Sequence, residues 1–149
     1  VWAGNEERFT VTLKSYHKSV FLVPLTLLIL IVIEGISGAQ IREMTDELAK
    51  FHDNAPRETW IDELENSWLY LFHRSFSWLI LVFTIWAFWI ALKKQTHRPT
   101  PTQYAATAIV FTQMFLGLIM AQIHIYSWVQ VLHVGLAAIL LSLVLRWLL

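Results

Sequence analysis

The chain has 149 residues, 56% of them hydrophobic and 15% charged, with a mean hydropathy of +0.53 and zero formal charge. A soluble domain carries about a quarter charged residues, so this composition excludes an ordinary water-soluble fold, and the lack of a basic surplus removes the electrostatic case for nucleic acid. There are no cysteines, which excludes disulfides, thiolate metal sites and thiol chemistry.

The sequence opens at Val1 rather than at a methionine, and its first apolar run begins only near Val20, so no signal-peptide pattern leads it. A piece of a longer protein, or a processed one, is expected. Crossing about 30 Å of hydrocarbon takes about 20 helical residues. Four stretches meet that length, at about 20–39, 68–92, 104–123 and 127–149. None of them alternates with a period of two, and lipid admits only helices or closed barrels, so the expected fold is all-α: an integral membrane four-helix bundle forming one domain over 1–149. Eight tryptophans suit such a protein, because indoles collect at membrane interfaces.

Lys and Arg set the expected orientation. Arg8, Lys14 and Lys18 precede the first span, and Lys93, Lys94 and Arg98 lie between the second and third. Arg42, Lys50 and Arg57 are spread over the longer first connection, and the third connection has none, so both termini are expected in the cytoplasm. The first connection, 40–67, also holds eight of the eleven acids. Within it Thr59 and Asp62 have the spacing of a capping box, and Trp60, Ile61, Leu64 and Trp68 recur at helical intervals. The segment reads either as a short amphipathic helix on the outer surface, covering whatever lies beneath, or as a solvated acidic loop.

Six histidines are present. His17, His52 and His97 fall in loops or at helix ends and are weak ligand candidates. His73 and His133 lie inside apolar spans, where ionisable groups are expensive and face a bundle interior or a cavity. His73 follows Trp68 by five residues and His133 follows Trp128 by five. With each indole at the interface, both imidazoles lie roughly 7–8 Å below the outer boundary, on two helices that run the same way. Such a pair can approach a flat ligand from opposite sides, as in a bis-imidazole haem iron. A zinc site wants four ligands, or three and a water, and no further ligand is evident. The alternative is a pair of core histidines hydrogen-bonded across helices.

The neighbours of the pair are small or polar. Gly135, Ala137 and Ala138 lie beside His133, and Ser75 and Ser77 beside His73. Gln113, Gly117, Ala121 and His124 make a stripe along the third span, which is either room for a macrocycle or a plain helix contact. Arg74 is a candidate for a haem propionate or a side chain that snorkels to the interface, and Arg42 is a weaker propionate candidate. Glu34, level with the histidines, is a weak candidate for a proton-handling group; otherwise it pairs with Arg74 or a serine.

The strings LFHRSF (71–76), FTQMFLG (111–117) and VQVLHVGLAA (129–138), with GAQIRE (38–43) closing the first span, resemble the cores of the haem A synthase family. The resemblance covers about 20–149. It implies a membrane oxidoreductase built of two similar four-helix bundles that converts haem O to haem A, by oxidising a ring methyl to a formyl, for terminal oxidases. It further implies that His73 and His133 are axial ligands. In the family's substrate bundle a glutamate stands three residues before the second-span histidine, where this chain has Tyr70, and the cysteine pair of the outer loop is missing. The chain therefore resembles the carboxy-terminal, haem b-binding half. The expected cofactor is haem b with its iron. The expected partners are membrane lipid, a second four-helix half or another copy of the chain, and the terminal oxidase assembly pathway. The expected location is the inner (plasma) membrane of a bacterium. The rival functional reading is a bis-histidine cytochrome b subunit that only transfers electrons; a haem-free helical scaffold stands further off.

Overall fold

A computed structural model describes the backbone of residues 3–94, 99–122 and 127–148, and the side chains of 21–93, 99–122 and 128–148. The described residues form helix α1 (Ala3–Phe51), a single 3-10 turn (Arg57–Thr59), a short α2 (Ile61–Glu65), and the long helices α3 (Trp68–Lys94), α4 (Pro101–Gln122) and α5 (Ser127–Leu148). Four of these are long and apolar enough to cross a membrane: Phe21–Phe51, Trp68–Lys93, Pro101–Gln122 and Trp128–Leu148. The expected all-α membrane architecture is the observed one.

The first helix corrects the boundary read from hydropathy. It continues past residue 39 to Phe51, so residues 40–51 extend the helix instead of opening the connection. The continuation QIREMTDELAKF has no glycine or proline and is rich in strong helix formers, so the helix persists as its side chains turn polar. It stops where Asp53 and Asn54 both take left-handed dihedrals, φ 53° and 56°, a region that Asp and Asn tolerate better than most residues. The Asn54 amide then donates to the Ala49 carbonyl at 2.8 Å, and Pro56 bars any return to helix.

The capping box expected at Thr59 and Asp62 does not form. Thr59 Oγ1 donates back to the Pro56 carbonyl at 2.7 Å, and Trp60 begins α2 with no side-chain cap. The reciprocal pair lies instead at the start of α4, where the Thr100 amide donates to Gln103 Oε1 at 2.9 Å and the Gln103 amide to Thr100 Oγ1 at 3.4 Å. With Pro101 in the first helical position, this cap starts α4 three residues before the expected Tyr104. Ser67 caps α3 with a single bond, its Oγ accepting from the Tyr70 amide at 3.2 Å.

The long helices form a closed ring: α1 packs on α3 and α5, and α4 packs on α3 and α5. Therefore α1 and α4 hold one pair of opposite corners, and α3 and α5 hold the other. At one end the interior is apolar, built from Leu27 and Ile31 of α1, Ile80 of α3, Ala106 and Val110 of α4, and Leu140 and Val144 of α5. Ser37, Thr84, Ala87, Ala91 and Gln103 are small or polar positions that are buried too, as are Leu116 of α4 and Val129 of α5. Large apolar side chains point outward instead, among them Trp78, Val82, Trp89, Phe115, Val131 and Val134. Large groups outside and small groups within is the pattern of a bundle solvated by lipid. At the end away from the apolar core, α2 lies against α1 and α3, burying Trp60 and Leu64 while Asp62 and Glu63 stay exposed.

Candidate functional site

Helical periodicity carries each interior seam from the apolar core into a polar level. On α3 the buried positions Ala91, Ala87, Thr84 and Ile80 lead, at steps of four and three, to Ser77 and His73. On α5 Val144 and Leu140 lead toward His133, and Val129 is buried one turn beyond it. The same run on α1 passes from Leu27 and Ile31 to Glu34 and Ser37, and on α4 from Ala106 and Val110 to Gln113 and Gly117. All four helices therefore meet at one level, with His73 and His133 on opposite corners.

His73 is held from α1. Its Nδ1 lies 3.0 Å from Ser37 Oγ and 3.2 Å from Glu34 Oε1. Ser37 spends its own proton on the Glu34 carbonyl oxygen at 2.9 Å, so toward the ring it accepts. Glu34 likewise offers an acceptor oxygen. The Ser37 acceptor on Nδ1, with the Glu34 oxygen in contact beside it, assigns the proton of the neutral ring to that nitrogen and leaves the lone pair on Nε2. Ser77 Oγ also donates to Glu34 Oε1 and lies 2.9 Å from the His73 carbonyl. Gly38 completes the cradle: a Cβ there would sit 3.3 Å from His73 Cε1.

His133 is held differently. Gln113 Nε2 of α4 donates to its backbone carbonyl at 2.7 Å, and a Cβ on Gly117 would lie 4.0 Å from its Cε1. Among the described residues its Nδ1 is buried without a hydrogen-bond partner, as are Gln113 Oε1 and Glu34 Oε2.

The other expected site residues divide. Arg74 is exposed, pointing away from the interior that its neighbour His73 occupies. Adjacent residues on a helix differ by about 100° in direction, which turns Arg74 off the face that His73 occupies. Arg42 is also exposed; it pairs with Asp46 at 3.0 Å and donates to Gln130 Oε1 of α5 at 2.7 Å, one turn outward from His133. Glu34 takes the serine alternative through Ser77 and adds the contact with His73. Gly135, Ala138 and Ser75 are exposed, so they do not open interior space, whereas Ala137 and Ser77 are half-buried. His52 Nε2 bonds Glu63 Oε1 at 2.9 Å and ties the end of α1 to α2. His17 belongs to α1, and His97 and His124 lie outside the described residues.

Two residues were missed. Ser37 carries no signal beyond its place one turn from Glu34. Arg57, in the connection above the site, reaches the Met120 carbonyl of α4 at 3.5 Å with its Nη1, and its Nε is buried without a partner. Burial pulls its guanidinium below the usual arginine range.

Among the described residues no three His, Cys, Asp or Glu side chains converge in a metal-binding group. A haem asks for less. It needs two imidazoles facing the interior, each with a ring nitrogen to offer, and the residues here fit it: His73, hydrogen-bonded to Ser37 at Nδ1, has Nε2 to offer, and His133 on the opposite corner is half-buried, with no hydrogen-bond partner at its Nδ1 among the described residues. No curated protein and no solved structure matches the chain significantly. The family model described as cytochrome oxidase assembly protein, COX15-CtaA, matches residues 2–145. The chain with its four membrane-spanning helices thus belongs to the haem A synthase family.

Proposed function

We propose that this chain is a haem b-carrying unit of a haem A synthase-type oxidoreductase, with His73 and His133 as the two axial ligands. The observation that carries the reading is the placement of two half-buried histidines on opposite corners of a membrane bundle, at one level of its interior. Bound there, a haem b would supply one-electron transfer, which conversion of a ring methyl to a formyl requires from a partner centre.

The protein's own part is binding, orientation and shielding. Ser37 and Glu34 fix the His73 ring and its tautomer, so that Nε2 presents its lone pair without a proton to shed. Gly38 lets the ring lie against α1. Gln113 anchors the backbone of His133 from the opposite side. Trp60 and Leu64 of the covering segment are buried over the connection end of the bundle and restrict water there. Arg42, bridged to Gln130 near His133, is the better placed of the two expected propionate partners; the exposure of Arg74 favours the snorkelling alternative for it. Tyr70, half-buried where the family's substrate bundle has a glutamate, favours the electron-carrying role for this bundle over the oxidising one. The reading keeps both termini in the cytoplasm and the histidines near the opposite face of a bacterial inner membrane. The unit that converts haem O would be a second four-helix half or another copy of the chain.

The test is a visible spectrum of the purified chain. Sharp reduced bands with one haem per chain are expected, lost in both His73→Ala and His133→Ala; a folded wild type without colour overturns the reading. Conversion of haem O in membranes, by the chain together with any second half, separates a synthase unit from an electron-transfer cytochrome.

A further inference from the structure

The two histidines sit in unlike surroundings, and the difference lies in one buried acid on α1. Glu34 is a carboxyl group inside a membrane-spanning helix, with its side chain 17% exposed. No lysine or arginine pairs with it among the described residues. Burying such a group is expensive unless its oxygens are used. Oε1 accepts from Ser77 Oγ and lies 3.2 Å from the Nδ1 of His73, whereas Oε2 has no hydrogen-bond partner among the described residues. Ser37, one turn along, meets the same nitrogen at 3.0 Å while its hydroxyl proton is committed to the Glu34 carbonyl. The arrangement is a bracket from α1 around one ring nitrogen of α3, with Ser37 Oγ as its hydrogen-bond acceptor and the acid oxygen Glu34 Oε1 in contact beside it. Nothing equivalent faces His133 Nδ1 among the described residues.

We infer that Glu34 is a positioning residue for His73: with Ser37 it holds the ring as the Nδ1–H tautomer and makes it the more electron-donating of the two histidines. The physical reason is general. An acceptor on the far nitrogen of an imidazole draws its N–H toward itself, raises the basicity of the near nitrogen and fixes the ring's rotation. An acid oxygen does this more strongly than a serine hydroxyl or a backbone carbonyl. Glu34 is not a catalytic residue in this account, because it acts only through His73. Conversion of Glu34 to an amide can still present an oxygen, but with a weaker pull, and removal to alanine leaves Ser37 alone.

The inference rests in part on the haem reading, so its test has one arm that needs no haem. In the full chain in detergent micelles, freed of haem and carrying nitrogen-15 histidine, the His73 ring is expected as the Nδ1-protonated tautomer. Glu34→Ala and Ser37→Ala should each shift it toward a mixture, and the Glu34→Ala, Ser37→Ala double variant should shift it furthest. In the haem-loaded chain, Glu34→Gln and Glu34→Ala should raise the midpoint potential in that order and alter the axial-ligand resonance Raman signature, with haem content retained in Glu34→Gln. An unchanged tautomer in Glu34→Ala, or an unchanged potential in both Glu34 variants, overturns the inference. A wild type that takes up no haem overturns the proposed function instead, while the tautomer arm still decides the role of Glu34.

Discussion

Replacing Gly38 by alanine would test the cradle around His73 most directly. The new Cβ would lie 3.3 Å from Cε1 and 3.8 Å from Nδ1 of the ring. Carbon atoms at rest sit about 3.5–4.0 Å apart, so the ring has to retreat by a few tenths of an ångström. It has little freedom to do so, because Ser37 at 3.0 Å and Glu34 at 3.2 Å hold Nδ1 on the same side. The Ser37 hydrogen bond contributes about 1 kcal/mol net and the Glu34 contact adds to it, so loosening the pair costs about 1–2 kcal/mol, on the order of tenfold in any equilibrium that needs the ring in place. A helical glycine-to-alanine change works the other way on the fold, by about 1 kcal/mol. Gly38→Ala should therefore leave the thermal midpoint in detergent nearly unchanged and weaken haem retention about tenfold. Haem titration followed at the Soret band, alongside a thermal melt, separates the two quantities. Two other glycines calibrate the result: a Cβ at Gly117 meets His133 Cε1 only at 4.0 Å, and one at Gly35 meets nothing within 4 Å. Both alanine variants should retain haem as the wild type does. If Gly38→Ala also binds normally, or Gly35→Ala loses haem as badly, steric confinement of His73 by α1 is refuted.

Thr100→Ala removes one half of the capping box on α4 and should lower stability by about 1 kcal/mol, read from denaturant unfolding in mixed micelles; no change would mean that the cap is replaced by solvent. Arg57→Met keeps the stem and discards a charge that burial disfavours, in exchange for one long bond of 3.5 Å to Met120. Its melting point should equal or exceed that of the wild type, and a fall of several degrees would show that the bond to α4 dominates.

Much of this architecture was legible in the sequence because the membrane imposes its own length scale. Runs of about 20 apolar residues reveal spans whatever they pack against. Helix ends follow other rules. Residues 40–51 stay helical after hydropathy has fallen, because propensity and the lack of a breaker before Asp53 decide the matter. At the start of α4 the sequence Thr-Pro-Thr-Gln spells a cap that hydropathy does not register. His73 and His133 could be singled out because charge-capable groups in lipid need an interior reason. Adjacency in sequence is a poor guide to adjacency in space for their neighbours: Ser75 and Gly135, expected to leave room in the interior, are exposed around the helix from the histidines, and of the two alternatives for Arg74 its exposure fits snorkelling. The bracket from Glu34 and Ser37 depends on the rotation of α1 against α3, and a single sequence does not encode that angle in any local pattern.

The ring of helices has a consequence for how the protein is made. Because α1 packs on α3 and α4 on α5, the chain divides into a leading hairpin bearing His73 and a trailing hairpin bearing His133. Translation delivers the first imidazole to the membrane well before the second, so a prosthetic group gripped by both can be captured only once the last hairpin has threaded in. Such a group would then act as a rivet between two halves that meet late, tying completion of biogenesis to its supply.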